Sequence, residues 1–263
     1  KQQKFLAQYN INLSDLNNIQ DTEIINHCLI LHKEEYQIAQ FITRTDITAI
    51  FGPNLRILGE NLFREQSQLQ QIYCPNVTNI GYGVFYMCQK LQSVHLPQVT
   101  VLGTHAFTRA DSLKSVNLPS LIEMNDYSFY ICGNLESFRA KMLVKAGSEV
   151  FANCARLTTF VVPNLKYVKN DFMRGCIALQ KMVAPLIEDY ECRCDECPRC
   201  NGYLRESQEI YGYQKKIWQL QKANQGFKQQ KGGLESKQQE KLENALGKLR
   251  LFNKTVKIVE LQN

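Results

Sequence analysis

Four cysteines fall within nine positions near residue 200: Cys192, Cys194, Cys197 and Cys200, in the stretch ECRCDECPRC. Thiols that close together could hold a metal, close two disulfides, cap a fold without metal, or react. A set of four cysteine ligands suits structural Zn2+, with thiolate sulfurs about 2.3 Å from the ion. Such sites commonly draw ligands from two separated hairpins. Here one short segment supplies all four, so it must wrap the ion tightly or share it with another chain. Two local disulfides require an oxidising compartment.

Other chemistry is sparse. The four histidines, His27, His32, His95 and His105, match no H-E-x-x-H or related metal spacing. No phosphate loop, dinucleotide fingerprint or nucleophile elbow occurs. The sequence therefore predicts no catalytic residues and no enzyme. Zinc at the four cysteines is the one candidate cofactor.

What positions the cluster is a repeat. Leu69, Leu91, Leu113, Leu135, Leu157 and Leu179 follow one another at intervals of 22 residues. Prolines keep the same period at Pro53, Pro75, Pro97, Pro119, Pro163 and Pro185, with Lys141 in the gap. Phenylalanines do so from Phe41 through Phe63, Phe85, Phe107 and Phe129 to Phe151, and Met173 continues the column. A fixed period of this length predicts a solenoid, whose turns bury a core only by stacking.

One turn reads as LQSVHLPQVTVLGTHAFTRADS. Its first six residues form a short strand with Leu91, Val94 and Leu96 inward, ended by Pro97, which has no N–H to donate. Val99 and Leu102 point inward next, and a short helical or 3-10 segment at HAF carries Phe107 into the core. Gly59, Gly81, Gly103 and Gly147 share a column, which predicts a positive φ there. Asn125 tolerates such a backbone and Lys169 would be strained by it. Cys88, Cys132, Cys154 and Cys176 share another column, broken by Ala110, and read as reduced, buried packing residues.

The pattern L-x-x-V-x-L-P-x-V-x-x-L-G-x-x-A-F-x-x-C resembles the BspA-like, Treponema-type leucine-rich repeats of bacterial surface proteins and parasitic protists. The resemblance spans roughly Ile47 to Tyr190 and implies an α/β repeat solenoid: a curved leucine-rich repeat with a parallel sheet on its concave side. It also implies protein binding, as an intracellular scaffold or as an adhesin for host or matrix proteins. On such a sheet the outward strand residues are Gln71, Tyr73, Ser93, His95, Ser115, Asn117, Ser137, Arg139, Thr159 and Lys181, with Val161 and Val183. Tyr73, His95 and Arg139 are the expected anchors.

The ends differ from the repeats. Residues 1–46 read as an N-terminal cap with a degenerate first repeat, with a short helix or loop capped at Ser14 or Asp15. Residues 47–191 form the solenoid, 192–204 a Cys-rich cap, and 205–263 a basic helical extension. The last 63 residues carry 12 Lys/Arg against 6 Asp/Glu, whereas residues 1–200 balance at 19 each. Apolar residues at Ile210, Tyr213, Ile217, Leu220 and Phe227, then Leu242, Leu246 and Leu249, suit a coiled-coil pairing or self-association. Its basic residues are interspersed with Gln and Glu, which argues against nucleic acid. No apolar run is long enough to span a membrane. The unpaired cysteine column leans toward a reducing, cytoplasmic setting, with the cell surface still open. The start at Lys1 suggests a piece of a longer chain.

An alternative to the scaffold is a metal-dependent regulatory module centred on the Cys192–Cys200 cluster, with the solenoid as its targeting domain.

Overall fold

The structure, a computed structural model, describes residues 1–36, 41, 44–188, 190–192, 194–200, and 202, 204, 205, 208, 209, 212, 241 and 244. The expected helical extension over 205–263 and its coiled-coil pairing lie almost wholly outside the described residues. Among the described residues no helix is long and apolar enough to cross a membrane.

Each 22-residue turn contributes one three-residue strand and one two-residue strand. The longer strands run Cys28–Ile30, Ala49–Phe51, Gln71–Tyr73 and Ser93–His95, then Ser115–Asn117, Ser137–Arg139, Thr159–Val161 and Lys181–Val183. They pair in parallel as two sheets, with the break between His95 and Ser115. In the repeats the register advances by 22 residues, as in Gln71 opposite Ser93 and Phe138 opposite Phe160. The shorter strands, from Glu35–Tyr36 to Tyr167–Val168, make a seven-stranded parallel sheet. Proline stands at the corner between the two faces, as where the Val77 N–H donates back to the Cys74 carbonyl across Pro75. That placement uses its preset φ at the second position of a turn.

The predicted α/β character needs correction, because no helix forms at HAF. That third face is also a hydrogen-bonded column: Phe63, Phe85, Phe107, Phe129 and Phe151 each donate a backbone N–H to a carbonyl 21 residues on, at 2.8–3.1 Å. Two residues per turn are left-handed. One set is Asn61, Gly83, His105, Tyr127, Glu149 and Asp171; the other includes Glu65, Met87, Arg109, Ile131, Asn153 and Gly175. A left-handed residue ends a right-handed helix and costs a non-glycine residue roughly 1–2 kcal/mol, which the inter-turn hydrogen bonds offset. The chain is therefore a parallel β-solenoid of about seven turns.

The glycine column also needs correction, since Gly81, Gly103 and Gly147 lack positive φ. Their requirement is space. A Cβ on Gly103 would sit 2.5 Å from the Gly81 carbonyl carbon and oxygen. Asn125 and Lys169 occupy the same column without left-handed backbone, so the expected strain at Lys169 is absent.

Inside, the phenylalanines stack. Phe41, Phe63, Phe85, Phe107, Phe129 and Phe151 have successive ring centroids 5.1–5.8 Å apart and planes within 22° of parallel. Each fully buried ring contributes roughly 1.5–3 kcal/mol by leaving water. Phe172 ends the ladder edge-on to Phe151 at 5.6 Å, and Met173 is buried beside it.

Candidate functional site

The face of three-residue strands holds the predicted partner residues, and the structure divides them. A helix that the sequence did not announce, α1 (Gln2–Ala7), lies over its first strands. Phe5 and Leu6 pack with Cys28, Ile30, Ala49, Phe51 and Tyr73 as a second core. Tyr73 keeps only 9% of its surface exposed, with ring centroids 5.3 Å from Phe5, 5.6 Å from Phe51 and 4.8 Å from His95. It is a cap residue, so its predicted role as an exposed anchor is overturned. The 3-10 helix Leu13–Asn18 completes this end, with Asn12 at its N-cap position instead of Ser14 or Asp15.

His95 and Gln71 are half-buried at the margin of the cap and Ser93 is exposed. Burial lowers the His95 pKa, and the positive charges of Lys1 and the chain N-terminus lower it further. Beyond His95 no described residue covers the face. Ser115, Asn117 and Arg139 are exposed, and Ser137, Thr159, Val161, Lys181 and Val183 are half-exposed. Lys181 is shifted down by burial and then by Arg139, placing two cations in one field. Neither makes a salt bridge among the described residues.

The cysteine column does more than pack. Cys88, Cys132, Cys154 and Cys176 each donate S–H to the carbonyl of a core phenylalanine 25 residues earlier, at 3.1–3.2 Å. Gln66, in the same column, sends its amide to the Phe41 carbonyl. Ala110 has no such donor. All ten cysteines are free thiols. Burial pushes Cys88 up to about 12 and Cys132 well above the usual thiol range, which makes both poor nucleophiles.

The four cysteines after Tyr190 converge. The Sγ atoms of Cys192, Cys194, Cys197 and Cys200 all lie within 4.8 Å of one another. Cys192 and Cys194 are 3.3 Å apart, and Cys197 donates to Cys192 at 3.4 Å. Cys197 is buried and the other three are half-buried. Burial alone would raise the Cys194 thiol; N–H donors from Gly175, Glu196 and Cys197, with the Cys192 thiol, bring it down to about 7. Burial pushes Cys192 and Cys197 the other way.

A third group was not legible in the sequence. On the turn face, Tyr82, Tyr86, His105, Tyr127 and Tyr130 form one aromatic cluster. His105 stacks on Tyr127 at 4.8 Å and meets Tyr82 and Tyr86 edge-on at 5.9 Å each. Tyr130 joins edge-on to Tyr127 at 5.5 Å. Arg64 lies 4.3 Å above the Tyr86 ring. The Thr108 hydroxyl donates to the Tyr127 carbonyl at 2.7 Å, so His105 Nδ1, 3.1 Å away, is the donor to Thr108. His105 and Tyr127 stand one period apart, and Tyr86 and Tyr130 two, but Gly83, Glu149 and Thr108 fill the neighbouring positions of those columns, so no aromatic ladder announced the cluster.

The fold and this open strand face define a leucine-rich repeat solenoid. Residues 56–180 match the model of the BspA type leucine-rich repeat region in six copies, and that stretch of the chain is such a region. A leucine-rich repeat protein from Bacteroides ovatus is similar over 62% of this chain and 48% of its own, at 21% identity and a TM-score of 0.52. This chain thus spans about half of that protein, and the likeness concerns fold. A leucine-rich repeat protein of T. pallidum matches over 59% of this chain and 84% of its own, at 18% identity and a TM-score of 0.39. A leucine-rich cell surface protein from Faecalibacterium prausnitzii matches over 64% and 75%, at 14% identity and a TM-score of 0.28. No curated protein matches the chain.

Proposed function

We propose that this chain is a non-catalytic protein-binding scaffold that receives its partner on the strands Ser115–Asn117 to Lys181–Val183. One observation carries the reading: among the described residues this half of the strand face is uncovered, while the same columns nearer the N-terminus are covered by α1. Arg139 and Lys181 stand among small polar side chains and the apolar Val161 and Val183, a mixture suited to a protein segment bearing carboxylates. The non-catalytic part rests on the buried, S–H-bonded cysteine column. Among the described residues, none of the four histidines hydrogen-bonds a thiol.

The test is affinity capture from the native cell with wild-type protein and with an Arg139→Glu/Lys181→Glu variant. The expected result is a partner retained by the first and lost by the second. Equal capture by both would overturn the assignment to this face. The aromatic cluster on the turn face supports a second reading, because Tyr and Arg are the residues interfaces favour. Selective loss of capture in Tyr82→Ala/Tyr86→Ala would move the surface there.

A further inference from the structure

We infer that Cys192, Cys194, Cys197 and Cys200 bind one structural Zn2+ that closes the C-terminal end of the solenoid. A tetrahedron of thiolates about 2.3 Å from the ion has sulfur–sulfur edges of about 3.8 Å. Four sulfurs within 4.8 Å, two pairs of them at 3.3–3.4 Å, already approximate that figure. The space suits one ion rather than a cluster of several. An all-sulfur tetrahedral set selects zinc or iron among the common metals.

The surrounding backbone is arranged for thiolates. N–H groups of Gly175, Glu196 and Cys197 donate to Cys194, the Cys194 N–H donates to Cys192, and the Cys200 N–H donates to Cys197. Donors to sulfur hold and orient metal-bound thiolates. Cys176 lies next to the cluster, but its S–H is committed to the Phe151 carbonyl at 3.1 Å, which leaves four ligands and not five. Arg199 and Arg205 line the same groove as Cys200, with Arg199 over the Tyr190 ring at 5.8 Å and Arg205 paired with Glu209 at 3.6 Å.

The position explains the need. After Ile187 and Tyr190, the last framed residues in the core, the repeat no longer follows its pattern: it would place Phe at 195 and Cys at 198, where Asp195 and Pro198 stand. The cluster's segment meets the last turn through the Asp171 N–H to the Glu191 carbonyl at 2.8 Å, and through Gly175 to Cys194. An ion there ties that segment together where apolar burial ends. Loading replaces four S–H protons by the ion and releases them to solvent, with no redox step.

Metal analysis of the full chain, purified under reducing conditions from zinc-supplemented cells, tests this. One zinc per chain is expected, together with the thiolate charge-transfer absorption of a tetrahedral centre after Co2+ exchange. Cys194→Ser/Cys197→Ser loses the ion, and Cys88→Ala keeps it. Cys200→Ser, at a half-exposed position, repeats the loss should the double variant fail to fold. Metal at background in the wild type, iron in place of zinc, the four thiols recovered as two disulfides, or zinc retained by the cluster variants would each overturn the site.

Discussion

The two halves of the three-residue-strand face are built from the same columns and end in opposite environments. Around Ala49–Phe51 and Gln71–Tyr73 the outward positions carry Phe51 and Tyr73, and α1 covers them with Phe5 and Leu6. Around Ser115–Asn117 and Ser137–Arg139 they carry Ser, Asn and Arg, and nothing among the described residues covers them. The sheet itself breaks between the halves, after His95. A repeat thus determines which way a residue points, and the flanking segment determines whether that direction is solvent. Large apolar side chains in an outward column signal a cap before they signal a partner.

The sharpest way to break this comparison is a charge under α1. Leu6→Asp is expected to lower stability by roughly 3–5 kcal/mol, the range for an uncompensated buried charge. Ser137→Asp on the open half should stay within about 0.5 kcal/mol. Urea unfolding of the two variants checks both, and equal losses would mean that α1 does not seal its half. Next in size is the contrast between two residues that the sequence alone treats alike, Tyr73 and Arg139. Tyr73→Ala should cost about 3 kcal/mol or more, as deletion of a buried ring does. Arg139→Ala should leave the urea midpoint almost unchanged and act only on partner capture.

The smallest expected effect is in pH. The folded-state pKa of His95 lies below its ordinary 6.5, so the unfolded chain binds its proton more readily. His95 therefore contributes stability that is present above pH 6.5 and lost as pH falls from there through the folded-state value. His95→Phe keeps the stack on Tyr73 and should flatten that part of the profile. Thermal midpoints of both proteins between pH 7.5 and 5 measure the difference, and superimposable profiles would remove His95 from the cap's electrostatics.

Much of the fold could be read directly. The phenylalanine, leucine and cysteine columns are periodic because every interior turn meets the same neighbours, and each lands in the core as its period predicts. The glycine column was visible but its cause was not, because a 2.5 Å approach to Gly81 is a property of the stacking distance. The turn face was misread as helix for a similar reason. Left-handed residues such as Met87, Arg109 and Ile131 have no local signature. They hold that backbone because it aligns N–H and carbonyl groups with the adjacent turns.

By itself the sequence determined the 22-residue period, the inward columns, the point near residue 191 where apolar supply ends, and the presence of four thiols there. All of these follow from side-chain chemistry repeated along one line. Only the tertiary structure decided that Tyr73 is core, that the open surface begins beyond His95, that His105 gathers Tyr82, Tyr86 and Tyr127, and that the four sulfurs converge within 4.8 Å. Each depends on segments distant in sequence, or on loop geometry, meeting in space, and no periodic pattern encodes that meeting.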